Sequence, residues 1–184
     1  MEAMKTDRLL IRPLKLTDWK DVEFYASDYD IAKTTLNIPH PYPKGSGKAF
    51  VSHTIEQFDQ GDNYTFSVFD RKEGHFMGLI SLRMNKEFHH AELGYWIGKP
   101  FWGQGYGTEA AKALINFGFR ELKLHKIFAR AFAHNPASWK IMEKVGMSYE
   151  GSFREHVFRF GEFVDVKFYG LLKREFLEGI PSDE

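Results

Sequence analysis

Trp102-Gly103-Gln104-Gly105-Tyr106-Gly107, running straight into Thr108-Glu109-Ala110-Ala111, is the stretch on which the fold turns. Glycine at every second position leaves main-chain N–H groups unshielded by Cβ atoms, so the segment can bend into a concavity of donors. The next stretch is helical: Ala111, Leu114, Ile115, Gly118 and Leu122 recur at helical intervals through Thr108 to Leu122. The stretch before it is a strand, His90 to Gly98, rich in aromatic and apolar residues. Strand, glycine bend and helix mouth in that order make an anion site, each favourable contact at a helix start being worth ~0.3–1 kcal/mol. Several such amides together would hold a diphosphate; a tight strand-to-helix turn with no ligand is the plainer alternative. A dinucleotide fold needs G-x-G-x-x-G and an acidic residue closing the next strand. Here the spacing is G-x-G-x-G, and the strand Lys126 to Ala133 ends without an acid.

Working outward, Leu9 and Ile11 between Arg8 and Arg12 predict a first strand, and Thr17 with Asp18 caps a helix over Trp19 to Tyr25. Three prolines and two glycines make Ile38 to Gly47 a loop, and helical spacing resumes from Ala49 to Phe58. Within that loop, Lys44-Gly45-Ser46-Gly47-Lys48-Ala49 imitates a phosphate-binding P-loop and fails. Tyr42 stands where its first glycine belongs and Ala49 where a Mg²⁺-binding hydroxyl is needed. Tyr64 to Phe69 and Phe76 to Met84 read as strands around a turn at Lys72-Glu73-Gly74. Beyond the glycine bend, Pro136 to Lys144 reads as a helix ended by Gly146. Met147 to Phe158 and Glu162 to Leu172 form a closing hairpin. Strands, helix, strand, helix and hairpin add up to a mixed α/β sheet.

Composition narrows the function classes. The chain has 184 residues, 43% of them hydrophobic with 18 Phe, enough for the core of a single domain over 1–184. Twenty-five basic residues balance 25 acidic ones, which argues against nucleic acid as a partner. No cysteine is present, so disulfides, thiolate metal sites and a cysteine nucleophile are excluded. The eight histidines show no metal-ligand spacing. Charged and apolar residues alternate from Lys5 to Arg12, unlike a signal peptide or membrane span, so a cytoplasmic location is expected. Oligomeric state leaves no mark.

A second motif joins the first. Asn135-Pro136-Ala137-Ser138 opens a helix ending Lys144-Val145-Gly146-Met147, about 30 residues after the glycine bend. The pair resembles the GNAT superfamily of acetyltransferases. Thr6-Asp7-Arg8-Leu9-Leu10-Ile11-Arg12-Pro13-Leu14, Ala91 to Ile97 and Tyr169 to Phe176 resemble its RimJ/RimL-type branch, whose namesakes acetylate the N-termini of ribosomal proteins. The resemblance implies a mostly antiparallel twisted sheet flanked by helices, and transfer of acetyl from acetyl-CoA to an amine attacking directly. Two positions depart from the superfamily pattern: Trp102 replaces a usual Arg or Gln, and Met142 replaces a frequent Tyr.

The resemblance also implies roles. Backbone amides of Trp102, Gly103, Gln104, Gly105, Tyr106 and Gly107 would hold the diphosphate, while Tyr95, Trp96 and Ile97 pair with the pantetheine arm. Asn135 would bond the pantetheine amides; an Asn before Pro136 is equally a helix cap. Ser138 would donate to the departing sulfur, against a plain first-turn serine. Glu92 would take the amine's proton, directly or through water. Its alternation with Ala91 and Leu93 allows either a cleft or a solvent-facing position. Glu155 and His156 are the reserve bases, Ile38 to Gly47 a lid, and Phe158, Phe160, Phe163 and Phe168 mostly hairpin core. The competing reading is a non-catalytic acyl-CoA sensor or regulatory domain. The acceptor's identity stays open; with a weak or water-mediated base, a peptide α-amine is easier to accept than lysine because it titrates near ~7.7–8.0 rather than ~10.4.

Overall fold

The structure is a computed structural model and describes residues 1–179. Its strands are β1 (Met4–Lys5), β2 (Leu9–Pro13), β3 (Asn63–Asp70), β4 (Phe76–Asn85), β5 (His90–Ile97), β6 (Lys126–Phe132), β7 (Ser148–Arg159) and β8 (Glu162–Leu172). Its helices are α1 (Trp19–Ala26), α2 (Tyr29–Ala32), α3 (Ser46–Asp59), α4 (Tyr106–Arg120), α5 (Pro136–Lys144) and α6 (Lys173–Glu178). All eight strands form one sheet in the order β1-β2-β3-β4-β5-β6-β8-β7. Every neighbouring pair is antiparallel except β5 and β6. This is the mixed, mostly antiparallel sheet flanked by helices that the motifs imply.

Period-two alternation builds the sheet's two faces. Leu9, Ile11, Phe66 and Val68 are fully buried on one face, where α4 lays Ala111, Leu114 and Ile115 against Leu82, Leu93 and Ile127. Burying each Leu, Ile or Phe contributes roughly 1.5–3 kcal/mol, so α4 is the main anchor of the sheet's centre. A second cluster of Leu14, Val22, Val51, Phe76 and Leu79 joins α1 and α3 to the sheet. Asp18 is buried beside it, gripped by both guanidinium nitrogens of Arg12 at 2.8 Å and by the Ser67 hydroxyl at 2.8 Å. Burial alone would raise the Asp18 carboxyl; Arg12, the Lys15 amide and Ser67 together outweigh it and hold it below the usual range. Among the described residues no helix is long and apolar enough to cross a membrane.

The parallel pair positions the site. β5 and β6 pair only from His90–Lys126 to Leu93–Ala129, four residue pairs. β5 then continues to Ile97 bonded to β4 alone, while β6 continues to Phe132 bonded to β8 alone. Their carboxyl ends part, and the gap opens beside the N-termini of α4 and α5.

Several elements differ from the local reading. α4 begins at Tyr106 and α3 at Ser46, two and three residues earlier than the periodicity suggests, because Gly105 and Gly45 turn left-handed (φ +83° and +82°) just before them. Asp18, not Thr17, precedes α1, and its carboxylate bonds the Lys15 amide instead of capping the helix. At the false P-loop, the Glu23 carboxylate bonds the amides of Gly45 (3.0 Å) and Gly47 (2.9 Å), filling the place a phosphate would take. The closing hairpin is not filled by its phenylalanines: Phe158, Phe160 and Phe163 are 61%, 45% and 66% exposed. β7 is the outermost strand, so the Phe158 and Phe163 rings meet each other on open surface, 5.0 Å apart and tilted by 58°. Phe168 alone of the four packs against the small cluster of Phe132, Val164 and Val166.

Candidate active site

The glycine bend forms a cradle of free donors. Trp102 N–H still bonds Lys99 O (3.2 Å) and Glu109 N–H bonds Gly105 O (3.1 Å); between them the amides of residues 103–108 have no acceptor among the described residues. Gly103 (φ +74°) and Gly105 (φ +83°) take left-handed conformations that steer these amides to one side. With the α4 dipole behind them they form a nest for a diphosphate. Gly107 serves differently. A Cβ there would lie 2.9 Å from Ile141 Cδ1, so its absence lets α4 and α5 touch. Gln104 turns away from the cleft, its carbonyl accepting from Arg8 Nη1 (2.9 Å) and its Nε2 donating to Pro100 O (3.2 Å).

That Arg8 contact belongs to a clamp the spacing did not reveal. Arg8 Nε (2.7 Å), Arg8 N–H (2.9 Å) and the Thr6 hydroxyl (2.6 Å) all donate to the Glu109 carboxylate in the first turn of α4. The guanidinium also lies 4.4 Å from the centre of the Tyr106 ring. Burial pushes the Glu109 carboxyl up, and the hydrogen bonds from Thr6 and Arg8 outweigh it and hold it low. The opening Thr6-Asp7-Arg8 thus ties the amino-terminal strands to the cradle.

A cleft of about 400 Å³ runs from the cradle to the gap between β5 and β6. Tyr95, Trp96, Ile97, Trp102, Gly103, Gly105, Tyr106, Gly107, Asn135 and Ser138 all line it. The Ile97 carbonyl already accepts from the Trp102 indole Nε1 at 2.6 Å, so strand-like pairing with a ligand is left to the backbone before it. Asn135 makes no side-chain cap on α5; its Nδ2 lies 3.5 Å from Thr34 O. Of its two readings, the cap is the one the geometry does not support. Ser138, in the first turn of α5, sits with its Oγ 3.1 Å from the Tyr95 hydroxyl, which donates to Ser138 O at 2.9 Å. Burial pushes Tyr95 up to about 12, so it remains a neutral phenol through the physiological range.

A second cleft, about 270 Å³, opens on the other side of the same strand and shares Thr34, Thr35, Tyr95, Trp96 and Ser138 with the first. Glu92 lines it. Both its oxygens are held by the Arg130 guanidinium, at 2.7 and 3.0 Å. Arg130 escaped the sequence reading, although a lone cation inside the apolar run Lys126 to Phe132 was a signal, because a half-buried guanidinium needs a partner. Met142, where the superfamily pattern often has Tyr, is buried and lines this cleft. Glu155 and His156 line neither cleft: Glu155 N–H bonds Asp165 (2.7 Å), and the His156 ring packs on Phe153 at 5.0 Å. Of the expected lid only Ile38 reaches the second cleft, whose rim is Thr34 to Ile38. A wider hollow of about 810 Å³ beside α1 contains none of the candidate residues.

The model of the acetyltransferase (GNAT) domain matches residues 8–148, a span that includes Arg8, the glycine bend and α5. An uncharacterized N-acetyltransferase, YnaD, from Bacillus subtilis (strain 168) is 34% identical over 172 residues, covering 92% of this chain and 96% of its own. The ribosomal protein uS5 alanine N-acetyltransferase of Escherichia coli (strain K12) is 29% identical over 88% of this chain and 86% of its own. The crystal structure of a GNAT-family acetyltransferase from Bacillus anthracis superposes with a TM-score of 0.83 at 31% identity, covering 94% of this chain and 99% of that one. The chain belongs to the GNAT family of acetyl-CoA-dependent N-acetyltransferases, and its likeness runs to the RimJ/RimL-like branch.

Proposed function

We propose that this enzyme acetylates an α-amine, that of a peptide or protein N-terminus or of a small molecule with a similarly titrating amine. The carrying observation is the meeting of two clefts at Tyr95, Trp96 and Ser138, one leading from the cradle and one from the opposite side of β5. A sensor that only bound the carrier would need the first cleft alone.

Acetyl-CoA supplies the activated acetyl thioester. Amides of Gly103 to Thr108 hold its diphosphate, and Asn135 with the backbone of Tyr95 and Trp96 aligns the pantetheine arm through the gap. The amine nitrogen bonds to the acetyl carbon, the carbon–sulfur bond breaks, and the electron pair leaves with the sulfur. Ser138 faces that sulfur as the hydrogen-bond donor, its Oγ held 3.1 Å from the Tyr95 hydroxyl, whose own proton goes to Ser138 O. Tyr95, pushed up to about 12, would protonate a thiolate of ordinary pKa ~8.5 only at a cost of roughly 4.8 kcal/mol, from ~1.36 kcal/mol per unit. Ser138, positioned by Tyr95, therefore stabilises the thiolate by hydrogen bonding, and the proton that finally reaches sulfur comes from the amine.

Glu92 lies four residues from Trp96, about 13 Å along the strand at ~3.3 Å per residue. That separation favours removal of the amine proton through water. The floor between them carries Ser81 and Thr65, two hydroxyls able to order such water. A relayed base suits an α-amine, of which roughly a tenth is already neutral near pH 7, better than a lysine amine, almost all of which is protonated there. The test is acetyl-CoA-dependent thiol release with a lysine-free peptide bearing a free α-amine, against an Nα-blocked lysine peptide of matched length. The α-amine peptide is expected to turn over. Consumption of the blocked lysine peptide alone, or of neither, would overturn the reading.

A further inference from the structure

The second cleft carries an excess of charge that acetyl transfer does not use. Asn63, Arg83 and Glu92 stand opposite one another on β3, β4 and β5, so their side chains leave the same face of the sheet. Glu92 is taken on its other flank by Arg130, whose fork engages both carboxylate oxygens at 2.7 and 3.0 Å. Arg83 lines the same cleft, is exposed, and has no carboxylate partner among the described residues. Asn63, opposite Arg83, adds only neutral polarity, and among the described residues no charged side chain besides Arg83, Glu92 and Arg130 lines the cleft. Two guanidinium groups thus face one carboxylate.

Resting on the assignment of this cleft to the acceptor, we infer that the acceptor is an anionic peptide, with a carboxylate side chain near its reacting α-amine held by Arg83. A guanidinium presents paired N–H donors that match a carboxylate bidentately, whereas an ammonium in the same place is repelled. The excess positive charge also favours entry of the amine in its neutral, nucleophilic form, in keeping with a base that works through water. Spacing sharpens the class. Arg83 is level with Glu92, so about 13 Å of strand separates its base from Trp96. A free amino acid, with amine and carboxylate on one carbon, is too short to place one group at each end. Successive peptide Cα atoms lie ~3.8 Å apart, so a peptide with Glu at its third position has the length.

The experiment uses three peptides with amidated carboxyl ends, Ala-Ala-Glu-Ala, Ala-Ala-Gln-Ala and Ala-Ala-Arg-Ala, each with the α-amine as sole acceptor. Thiol release by the intact enzyme is expected to give kcat/KM at least about 10-fold higher for the Glu peptide than for the Arg peptide, most of it in KM, narrowing at high salt. Arg83→Gln should bring the ratio near one and Arg83→Glu should invert it; unchanged acetyl-CoA affinity shows that the variants remain folded. Equal or inverted preference in the unaltered enzyme, or a preference that survives Arg83→Gln, overturns the inference. If no peptide turns over, the α-amine assignment fails instead, and calorimetric affinities of the peptides for the CoA-bound enzyme still decide the charge preference.

Discussion

Tyr95 shows how much one side chain's surroundings decide about its chemistry. Its hydroxyl is pinned between the carbonyl and the hydroxyl of Ser138, and burial lifts it from 10.0 to about 12. A phenol held so firmly neutral is a poor acid and a dependable hydrogen-bond donor. Removing one donor aimed at developing charge lowers kcat by about 10²–10³ where that donor is preorganised. On the proposed mechanism Tyr95 positions the Ser138 hydroxyl that donates to the sulfur, so Tyr95→Phe should reduce kcat by about 10-fold and Ser138→Ala by a similar factor, with acetyl-CoA KM changed less than about 2-fold. Because the two act as one unit, the double variant should fall well short of the product of the single losses. Multiplicative losses in steady-state kinetics would mean independent roles. Stability carries a second signature. The folded state prefers the neutral phenol, so its contribution is complete below pH 10 and disappears as pH rises through about 12. Denaturant midpoints measured at pH 8 and pH 11 should fall further for the unaltered enzyme than for Tyr95→Phe.

At the scale of elements, the cradle is held from behind by a segment nearly 100 positions away in the chain. Arg8 donates to the Gln104 carbonyl (2.9 Å) and to Glu109 (2.7 Å), so the strand end at β2 sets the pitch of the bend and the start of α4. Arg8 is 47% exposed in its side chain, which places the ion pair in the weak, solvent-screened class, and loss of the clamp is worth about 1 kcal/mol. Arg8→Ala should therefore raise acetyl-CoA KM about 5-fold while leaving the acceptor's KM and kcat within about 2-fold. An equal rise in both KM values would assign Arg8 to general folding. The same elements show where local reading succeeds. The spacing of Ala111, Leu114 and Ile115 identifies α4 and its buried face, because a helix writes its period into its own residues. The starts of α3 and α4 escape it, since a left-handed glycine and a carboxylate from another helix decide them. The clamp and the Glu92–Arg130 pair depend on which elements become neighbours, and no residue within a strand records that; the exposure of Phe158 and Phe163 depends on β7 lying at the edge of the sheet. The parting of β5 from β6 is likewise a matter of register, although it forms the cleft.

For the whole molecule, that parting means the sheet consists of two antiparallel blocks, β1 to β5 and β6 to β8, joined along only four residue pairs and by α4 and α5. On the proposed binding mode, a carrier lying in the gap would touch β5 from the first block and α5 from within the second, with its diphosphate on α4, the connection between them. Binding should therefore stabilise the fold as a unit and not one edge of it. A ligand that binds only the native state adds RT ln(1 + [L]/Kd), about 2.7 kcal/mol at 100 times Kd. A chain of this size gains roughly 2–4 °C per kcal/mol, so saturating CoA should raise Tm by roughly 5–10 °C. Pantetheine, which has the arm and lacks the diphosphate, isolates the cradle's share. If the free amides of residues 103–108 hold the phosphates, pantetheine at the same concentration should shift Tm by less than about 2 °C. Gly105→Val forces a branched side chain onto a residue at φ +83°. A left-handed non-glycine residue costs about 1–3 kcal/mol, so the unliganded Tm should fall by roughly 2–12 °C while most of the CoA shift disappears. Differential scanning calorimetry with the two ligands decides the matter: equal shifts from pantetheine and CoA would show that the glycine bend is only a turn.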